Sequence, residues 1–453
     1  MATINPLIFR EYDIRGVVDR DLNEEVLRRL GKAYGTIIVR SGRRKAALGR
    51  DCRLSSPLFA RAFIEGMLST GIDVCDIGMV TTPMLYFSLY NLDVEGGAMI
   101  TASHNPPEYN GVKMCIGTDA LYGEEILLMR DIAESGDFER GEGRYRESSV
   151  LEEYVAYLKG NLAIEPGLKV AVDCGNATTG IVAPRVFNEF GCELTELYVT
   201  PDGTFPNHHP DPGNEENLRD LIRAVKEKGL DVGIGFDGDG DRLGVVDERG
   251  RIVWGDMLVL IFAREILKEA PGATIIGDVK CSTTLYREIE KAGGKPIMWK
   301  TGHSLIKQKL KAEGAALAGE LSGHIFFKHR FYGFDDALYA ALRLLEIMSK
   351  RGKKVSELLE GVPQMYSTPE IRIDCPEEIK FEIAERVKNE LKNEYRVNDI
   401  DGVRVEFPDG WGLVRASNTQ PALVLRFEAE TKERLAEIRK IIEEKIEKAK
   451  REL

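Results

Sequence analysis

Three aspartates separated by single glycines, Asp237, Asp239 and Asp241 in FDGDGDR, are the sharpest feature of the sequence. Carboxylates this close repel one another unless a cation neutralises them, and hard oxygen ligands suit Mg²⁺ or Ca²⁺. An EF-hand loop has a similar D-x-D-x-D run, and Glu248 even falls at its twelfth position. The sixth position, however, is Arg242, where that loop turns on glycine. The flanks DVGIG and LGVVD also read as strands rather than helices. The bland alternative is a solvated acidic turn, but alternating Gly and Asp between two buried strands is an unusual way to make one. Three carboxylates around one Mg²⁺ is the preferred reading.

A second stretch, TASHNP at 101–106, sets a serine beside one of only six histidines. A Ser-His-Asp hydrolase would carry a G-x-S-x-G elbow, which is absent here. His104, adjacent in sequence, is expected to point poorly for deprotonating Ser103. A plain Ser-His-Asn turn before Pro-Pro accounts for the hexapeptide by itself. With Lys113 shortly after it and a metal loop elsewhere, Ser103 could instead carry a phosphoryl group, whose charge needs such neutralisation. In GELSGH, Glu320, Ser322 and His324 recur every second residue. In an extended loop they would face one way and could read neighbouring sugar hydroxyls. In RASNTQP, Arg415, Ser417, Asn418 and Thr419 supply a guanidinium, two hydroxyls, an amide and successive backbone N–H groups, the makings of an anion cradle. Either loop could equally be a hydrogen-bonded turn.

The elements that must hold these loops repeat. Three segments share an apolar strand, an Asp turn, a helix, a glycine and another strand. They turn at Asp51, Asp173 and Asp278 and have their glycines at Gly71, Gly191 and Gly293–Gly294. Strands apolar nearly throughout are expected where helices cover both faces of a sheet. From about Tyr366 the pattern changes to alternating strands, EIRIDC, GVRVEF, GWGLVRA and ALVLRFEA, and a final amphipathic helix with Leu435, Ile438, Ile442 and Ile446 on one face. The fold class is therefore α/β: three related mixed α/β domains and a smaller C-terminal α+β domain. Boundaries are expected at 1–148 (serine loop), 149–250 (metal loop), 251–365 (sugar loop) and 366–453 (phosphate loop).

A chain of 453 residues with net charge −12 and 43% hydrophobic content is expected to be globular and is no general nucleic-acid binder. No apolar run approaches the length of a membrane span, and no signal peptide is evident. Seven scattered cysteines without C-x-x-C fit free thiols in a reducing cytoplasm.

Taken in order, the four loops resemble the α-D-phosphohexomutase superfamily, specifically its phosphomannomutase/phosphoglucomutase branch, from FREYDIRG to RASNTQP and so over nearly the whole chain. The resemblance implies four domains around a central cleft, a phosphoserine at Ser103, and one Mg²⁺ held by Ser103, Asp237, Asp239 and Asp241. It implies catalytic roles for Ser103, Lys113, Arg242 and His303, the last as general base. Substrate binding would fall to Tyr12, Arg15, Lys280, Glu320, Ser322, His324, Arg415, Ser417, Asn418 and Thr419. The implied reaction interconverts hexose 1- and 6-phosphates of mannose, glucose or both, with hexose 1,6-bisphosphate as intermediate and activator.

Two positions depart from or refine the pattern. The phosphate loop usually continues Thr-Glu-Pro, and Gln420 replaces the glutamate. Leu321 stands where phosphoglucosamine mutases typically carry Gln, which favours glucose and mannose. A phosphoglucosamine mutase is the alternative, followed by a non-catalytic sugar-phosphate binder and a Mg²⁺ phosphatase. The expected partners are small hexose phosphates, with neither nucleic acid nor membrane; a homo-oligomer is compatible with the sequence.

Overall fold

The computed structural model describes residues 4–376, 378–417 and 421–452. The chain divides into two compact bodies, one of Met1–Gly255 with Ser322–Leu358 and the other of Asp256–Leu321 with Leu359–Leu453.

In the first body, strand Lys45–Arg50 lies parallel to Asp73–Met79 on one side and Gly96–Ile100 on the other. Tyr109–Ile116 then pairs antiparallel with Gly96–Ile100, and Ile14–Val17 antiparallel with Tyr109–Ile116. Every residue of Gly96–Ile100 is buried, as a strand covered on both faces requires. Helices Glu24–Arg40 and Ser56–Leu68 contribute Leu27, Leu30, Tyr34, Phe59, Phe63 and Met67 to the core. Each such side chain stabilises the fold by about 1.5–3 kcal/mol through burial. The residues joining Gly96–Ile100 to Tyr109–Ile116 contain TASHNP, so the serine loop spans the end of two central strands.

A second sheet in this body sets Lys169–Asp173 parallel to both Glu193–Leu197 and Val232–Phe236. Val232–Phe236 then turns back antiparallel into Leu243–Asp247, with Phe236 opposite Leu243. All residues of both strands are buried. DGDGDR is thus the connection of a buried hairpin, not a calcium loop between helices.

In the second body, Thr274–Asp278 pairs parallel with Lys295–Trp299 and Leu317–Gly319. The three strand–Asp–helix–Gly–strand repeats read from the sequence are all present, their paired strands parallel in each case. The C-terminal portion is an antiparallel sheet in which Val403–Phe407, Gly410–Ala416, Ala422–Ala429 and Ile371–Asp374 pair in succession. Helix Lys432–Arg451 starts at Thr431, whose side chain accepts from the Arg434 N–H, a normal N-cap. It buries Ile438, Ile442 and Ile446 against the sheet, with Leu435 partly covered. Among the described residues, no helix is long and apolar enough to cross a membrane.

Candidate active site

Ser103 is buried and held at φ 51°, a left-handed conformation uncommon for a residue with a side chain. Its backbone N–H donates to Thr101 Oγ1 at 2.9 Å. The hydroxyl Oγ lies 2.8 Å from Asp237 Oδ2, to which it donates. His104 lies nearer than its adjacency in sequence suggests, its Nδ1 3.1 Å from Ser103 Oγ. The left-handed turn at Ser103 folds the next side chain back over the hydroxyl, which sequence adjacency alone does not suggest. With the serine proton directed at Asp237, the contact is read as Nδ1–H donating to Oγ. Burial, with the positive charges of Arg242 and Arg15, pushes the His104 imidazole well below its ordinary value.

Asp237, Asp239 and Asp241 are fully buried, and their oxygen atoms cluster within 4.8 Å. Asp237 Oδ1 accepts the backbone N–H groups of Gly240, Asp241 and Arg242, each at 3.0 Å, so the hairpin loop wraps around its first carboxylate. Asp239 Oδ2 accepts from Thr82 Oγ1 at 2.6 Å and from Lys113 Nζ at 2.8 Å, and Asp241 Oδ2 from Lys113 Nζ at 2.5 Å. Burial and the charges of Asp241 and Asp239 push the Asp237 carboxyl well above the usual range. Burial acts the same way on Asp239, but the Lys113 ammonium outweighs it and holds that carboxyl low. Lys113, despite burial, is held high by the two aspartates.

One ammonium does not neutralise three buried carboxylates. Asp239 Oδ1 and Asp241 Oδ1 have no hydrogen-bond partner among the described residues; His324 Nδ1 is 3.6 Å from the latter. Two unbonded carboxylate oxygens beside a third carboxylate and a hydroxyl form a donor set that suits a hard divalent cation. The glycines permit this closeness. A Cβ on Gly238 would sit 2.1 Å from the Ser103 carbonyl oxygen, and Gly240, at φ 80°, would drive one to 2.7 Å from Thr179 Oγ1.

Arg242 Nε donates to His324 Nε2 at 3.0 Å, and its guanidinium lies 3.9 Å from Asp211. Since Nε2 accepts, the ring carries its proton on Nδ1, which is 2.9 Å from Asp335 Oδ2. Asp335, Asp211 and Thr82 were not singled out from the sequence. The doubled aspartate of FDDA was the available signal for the first: Asp336 caps helix Ala337–Arg351 by accepting the Tyr339 N–H, so the cap does not account for Asp335.

Asp336 is buried and also accepts from Tyr154 Oη at 2.8 Å. Burial raises its carboxyl from the ordinary 3.8 to about 7. The folded chain therefore binds more protons at this group than the unfolded chain between those values. The contribution to stability is full below about pH 4 and is lost as pH rises through 7, amounting to about 4 kcal/mol. Asp336→Asn keeps the cap through Oδ1 and can donate to Tyr154 through Nδ2. It should flatten stability against pH across this window relative to the parent, as read by urea midpoints at pH 5 and pH 8. Parallel curves for the two proteins would refute the assignment.

Arg15 Nε donates to Asp13 Oδ2 at 2.8 Å and its Nη1 to Asn105 Oδ1 at 2.5 Å, beside half-buried Tyr12. The YDIRG segment thus reaches the serine loop. The sugar loop crosses the boundary between the bodies, with Ser322 and His324 in the first and Glu320 in the second.

The second body holds the remaining expected residues. Lys280 Nζ is 3.3 Å from Glu370 and 3.8 Å from Asp278. Its loop is pinned by Arg404, which stacks on Trp411 at 3.7 Å and donates to the carbonyls of Val279 and Cys281, and by Arg426, which donates to the Lys280 carbonyl. Glu320 Oε1 accepts the Gly302 N–H at 2.8 Å, immediately before buried His303 at the start of helix His303–Glu313. Asp401 Oδ2 accepts both the Thr301 N–H and Arg415 Nε, each at 3.0 Å. Lys380 Nζ donates to the Ser417 carbonyl at 2.6 Å. Asn418, Thr419 and Gln420 lie outside the described residues.

Four family models match in succession: phosphoglucomutase/phosphomannomutase alpha/beta/alpha domain I over 6–138, domain II over 152–250, domain III over 254–366 and the C-terminal domain over 370–445. The chain belongs to the phosphoglucomutase/phosphomannomutase family. A phosphomannomutase/phosphoglucomutase of Pseudomonas aeruginosa is 46% identical over 440 residues, covering 97% of this chain and 95% of that relative. A phosphoglucomutase of Neisseria gonorrhoeae is 46% identical over 438 residues, 95% of each chain. Among solved structures, a phosphoglucomutase/phosphomannomutase family protein of Burkholderia thailandensis superposes with a TM-score of 0.94 at 44% identity, covering 99% of this chain and 98% of the other. Family membership accounts for the mixed α/β architecture and makes the chain an intramolecular phosphotransferase.

Proposed function

We propose that this phosphohexomutase interconverts hexose 1-phosphates and hexose 6-phosphates of glucose, mannose or both, through a phosphoserine at Ser103 and a hexose 1,6-bisphosphate. The observation that carries this reading is Ser103 Oγ lying 2.8 Å from the first of three buried carboxylates, with Lys113 bonded to the other two. Asp237, Asp239, Asp241 and Ser103 would hold one Mg²⁺, which supplies Lewis-acid polarisation of the phosphoryl oxygens.

In the first half-reaction, the bond between phosphorus and Ser103 Oγ breaks and a bond forms to the free sugar hydroxyl, whose proton passes to a base. Lys113 and Arg242 balance the charge that spreads over the transferring oxygens. In the second, the O–P bond at the other end of the bisphosphate breaks as its phosphoryl group returns to Ser103 Oγ, the freed sugar oxygen takes back the proton from the base, and the isomerised monophosphate leaves. His303 is the candidate base from the resemblance. His303→Asn tests that assignment: a kcat within about threefold of the parent would remove the role. The holding groups of the second body, Lys280, Glu320, Arg415 and Ser417, would take the sugar and the non-reacting phosphate, as would Asn418 and Thr419. A reducing cytoplasm suits the seven free cysteines.

The test is a substrate panel. Purified chain with Mg²⁺ should interconvert the glucose pair and the mannose pair, followed by ³¹P NMR, with no net phosphate release. A higher kcat/KM on glucosamine phosphates would replace this reading with a phosphoglucosamine mutase, and accumulation of inorganic phosphate would make it a phosphatase.

A further inference from the structure

Arg53 lies outside every loop treated so far, yet its guanidinium is at the centre of the serine loop. The side chain is fully buried. Nη2 donates to the carbonyls of Ser103 at 2.8 Å and Asn105 at 2.5 Å; Nη1 donates to those of Pro106 at 2.6 Å and Tyr109 at 2.9 Å. Nε donates to Asp51 Oδ2 at 3.2 Å. A guanidinium has five N–H donors in a fixed planar fork, and here five acceptors receive them. Four of the five are main-chain carbonyls, three of the serine loop and one of Tyr109, where the next strand begins. Phe205 lies under the guanidinium, 5.2 Å from ring centre to Cζ.

Those carbonyls converge for a reason. The left-handed turn at Ser103 and the Pro-Pro that follows turn the carbonyls of Ser103 and Asn105 inward, away from any strand, while that of Pro106 also accepts the Tyr109 N–H. Buried carbonyls without donors cost about 1–3 kcal/mol each. Asp51 aims the fork: its Oδ1 accepts the Arg53 N–H at 3.0 Å and the Ser56 hydroxyl, and the Asn110 amide donates to both Ser55 Oγ and Ser56 Oγ.

We propose that Arg53 is the positioning residue of phosphoryl transfer, a clamp on the carbonyls of Ser103, Asn105, Pro106 and Tyr109 that fixes the left-handed turn and thereby directs Ser103 Oγ at Asp237. It rests on the reading of Ser103 as the phosphoryl carrier. Arg53 touches no reacting atom. Its effect runs through the backbone of the nucleophile, so it acts on the chemical step and leaves substrate affinity to other groups. Lysine cannot substitute, because an ammonium has three donors from one nitrogen and cannot span four carbonyls.

The test uses the full chain with Mg²⁺, the parent, Arg53→Lys and Arg53→Ala. Intact mass of the parent comes first, and a phosphoryl group absent from the parent overturns both the clamp and the reading beneath it. With the parent phosphorylated, both variants should lose about 10²-fold or more in kcat, the cost of misplacing a reacting group by about 1 Å, while KM stays within about threefold. The ³¹P resonance of the phosphoserine should shift or broaden in Arg53→Lys at unchanged far-ultraviolet circular dichroism. A kcat in a folded variant within about threefold of the parent overturns the clamp alone. So does a KM that rises in step with the fall in kcat. Failure of both variants to fold also counts against it, since Arg53 would then be a determinant of folding rather than of the transfer step.

Discussion

Ser103→Ala is expected to lower kcat by at least about 10⁴-fold on glucose 1-phosphate, since removing a covalent carrier takes away the route itself rather than one stabilising contact. Little structural cost should accompany it. Alanine keeps the backbone, the Arg53 clamp does not involve the side chain, and the lost hydroxyl bonds were to Asp237 and His104. Two measurements check this. A coupled assay reads the turnover, and intact mass reads the single phosphoryl group that the parent should carry and the variant should lack. Residual turnover above about 1% of the parent would sink the phosphoserine, because a mutase without its carrier has no comparable second path.

The other large effect concerns Lys113. Its ammonium is buried between Asp239 and Asp241, and Lys113→Met removes the only side-chain cation bonded to either carboxylate among the described residues. Leaving a buried charge uncompensated costs about 3–5 kcal/mol. In EDTA, the variant should therefore unfold at a much lower urea concentration than the parent, and excess Mg²⁺ should recover a large share of the difference. Activity should fall by about 10²–10³-fold even with Mg²⁺ present, the usual consequence of removing one preorganised positive group. A variant whose midpoint in EDTA equals that of the parent would mean that the three aspartates are neutralised some other way.

Local pattern carried much of this protein. The parallel strand–turn–helix repeats, the hairpin flanks of DGDGDR and the apolar face of the last helix all follow from short-range periodicity, which packing then obeys. The clustering of Ser103 with the three aspartates was legible only through chemical need, since 134 positions separate Ser103 from Asp237. What escaped were residues that act through the main chain or through another side chain. Arg53 reads as an ordinary turn arginine until the carbonyls it serves are folded around it. Asp335 reads as half of an acidic pair before a helix, and its place 2.9 Å from His324 Nδ1 depends on the turn that brings it back opposite Phe326. The closeness of His104 to the serine hydroxyl escaped as well, because adjacency along a chain implies divergence only for extended backbone, and the turn at Ser103 is left-handed.

The approach of Gly238 to the Ser103 carbonyl has a kinetic consequence. With no side chain between them, the serine loop and the aspartate hairpin lie backbone against backbone, where a single added carbon would be 2.1 Å from the carbonyl oxygen. Under the proposed reaction, the phosphoryl donor is then a stationary post, unable to swing between two acceptor hydroxyls at opposite ends of a sugar. All the travel in the catalytic cycle falls to the ligand, so the lifetime of the bisphosphate on the protein, set against its rate of escape, determines how many isomerisations follow each priming event.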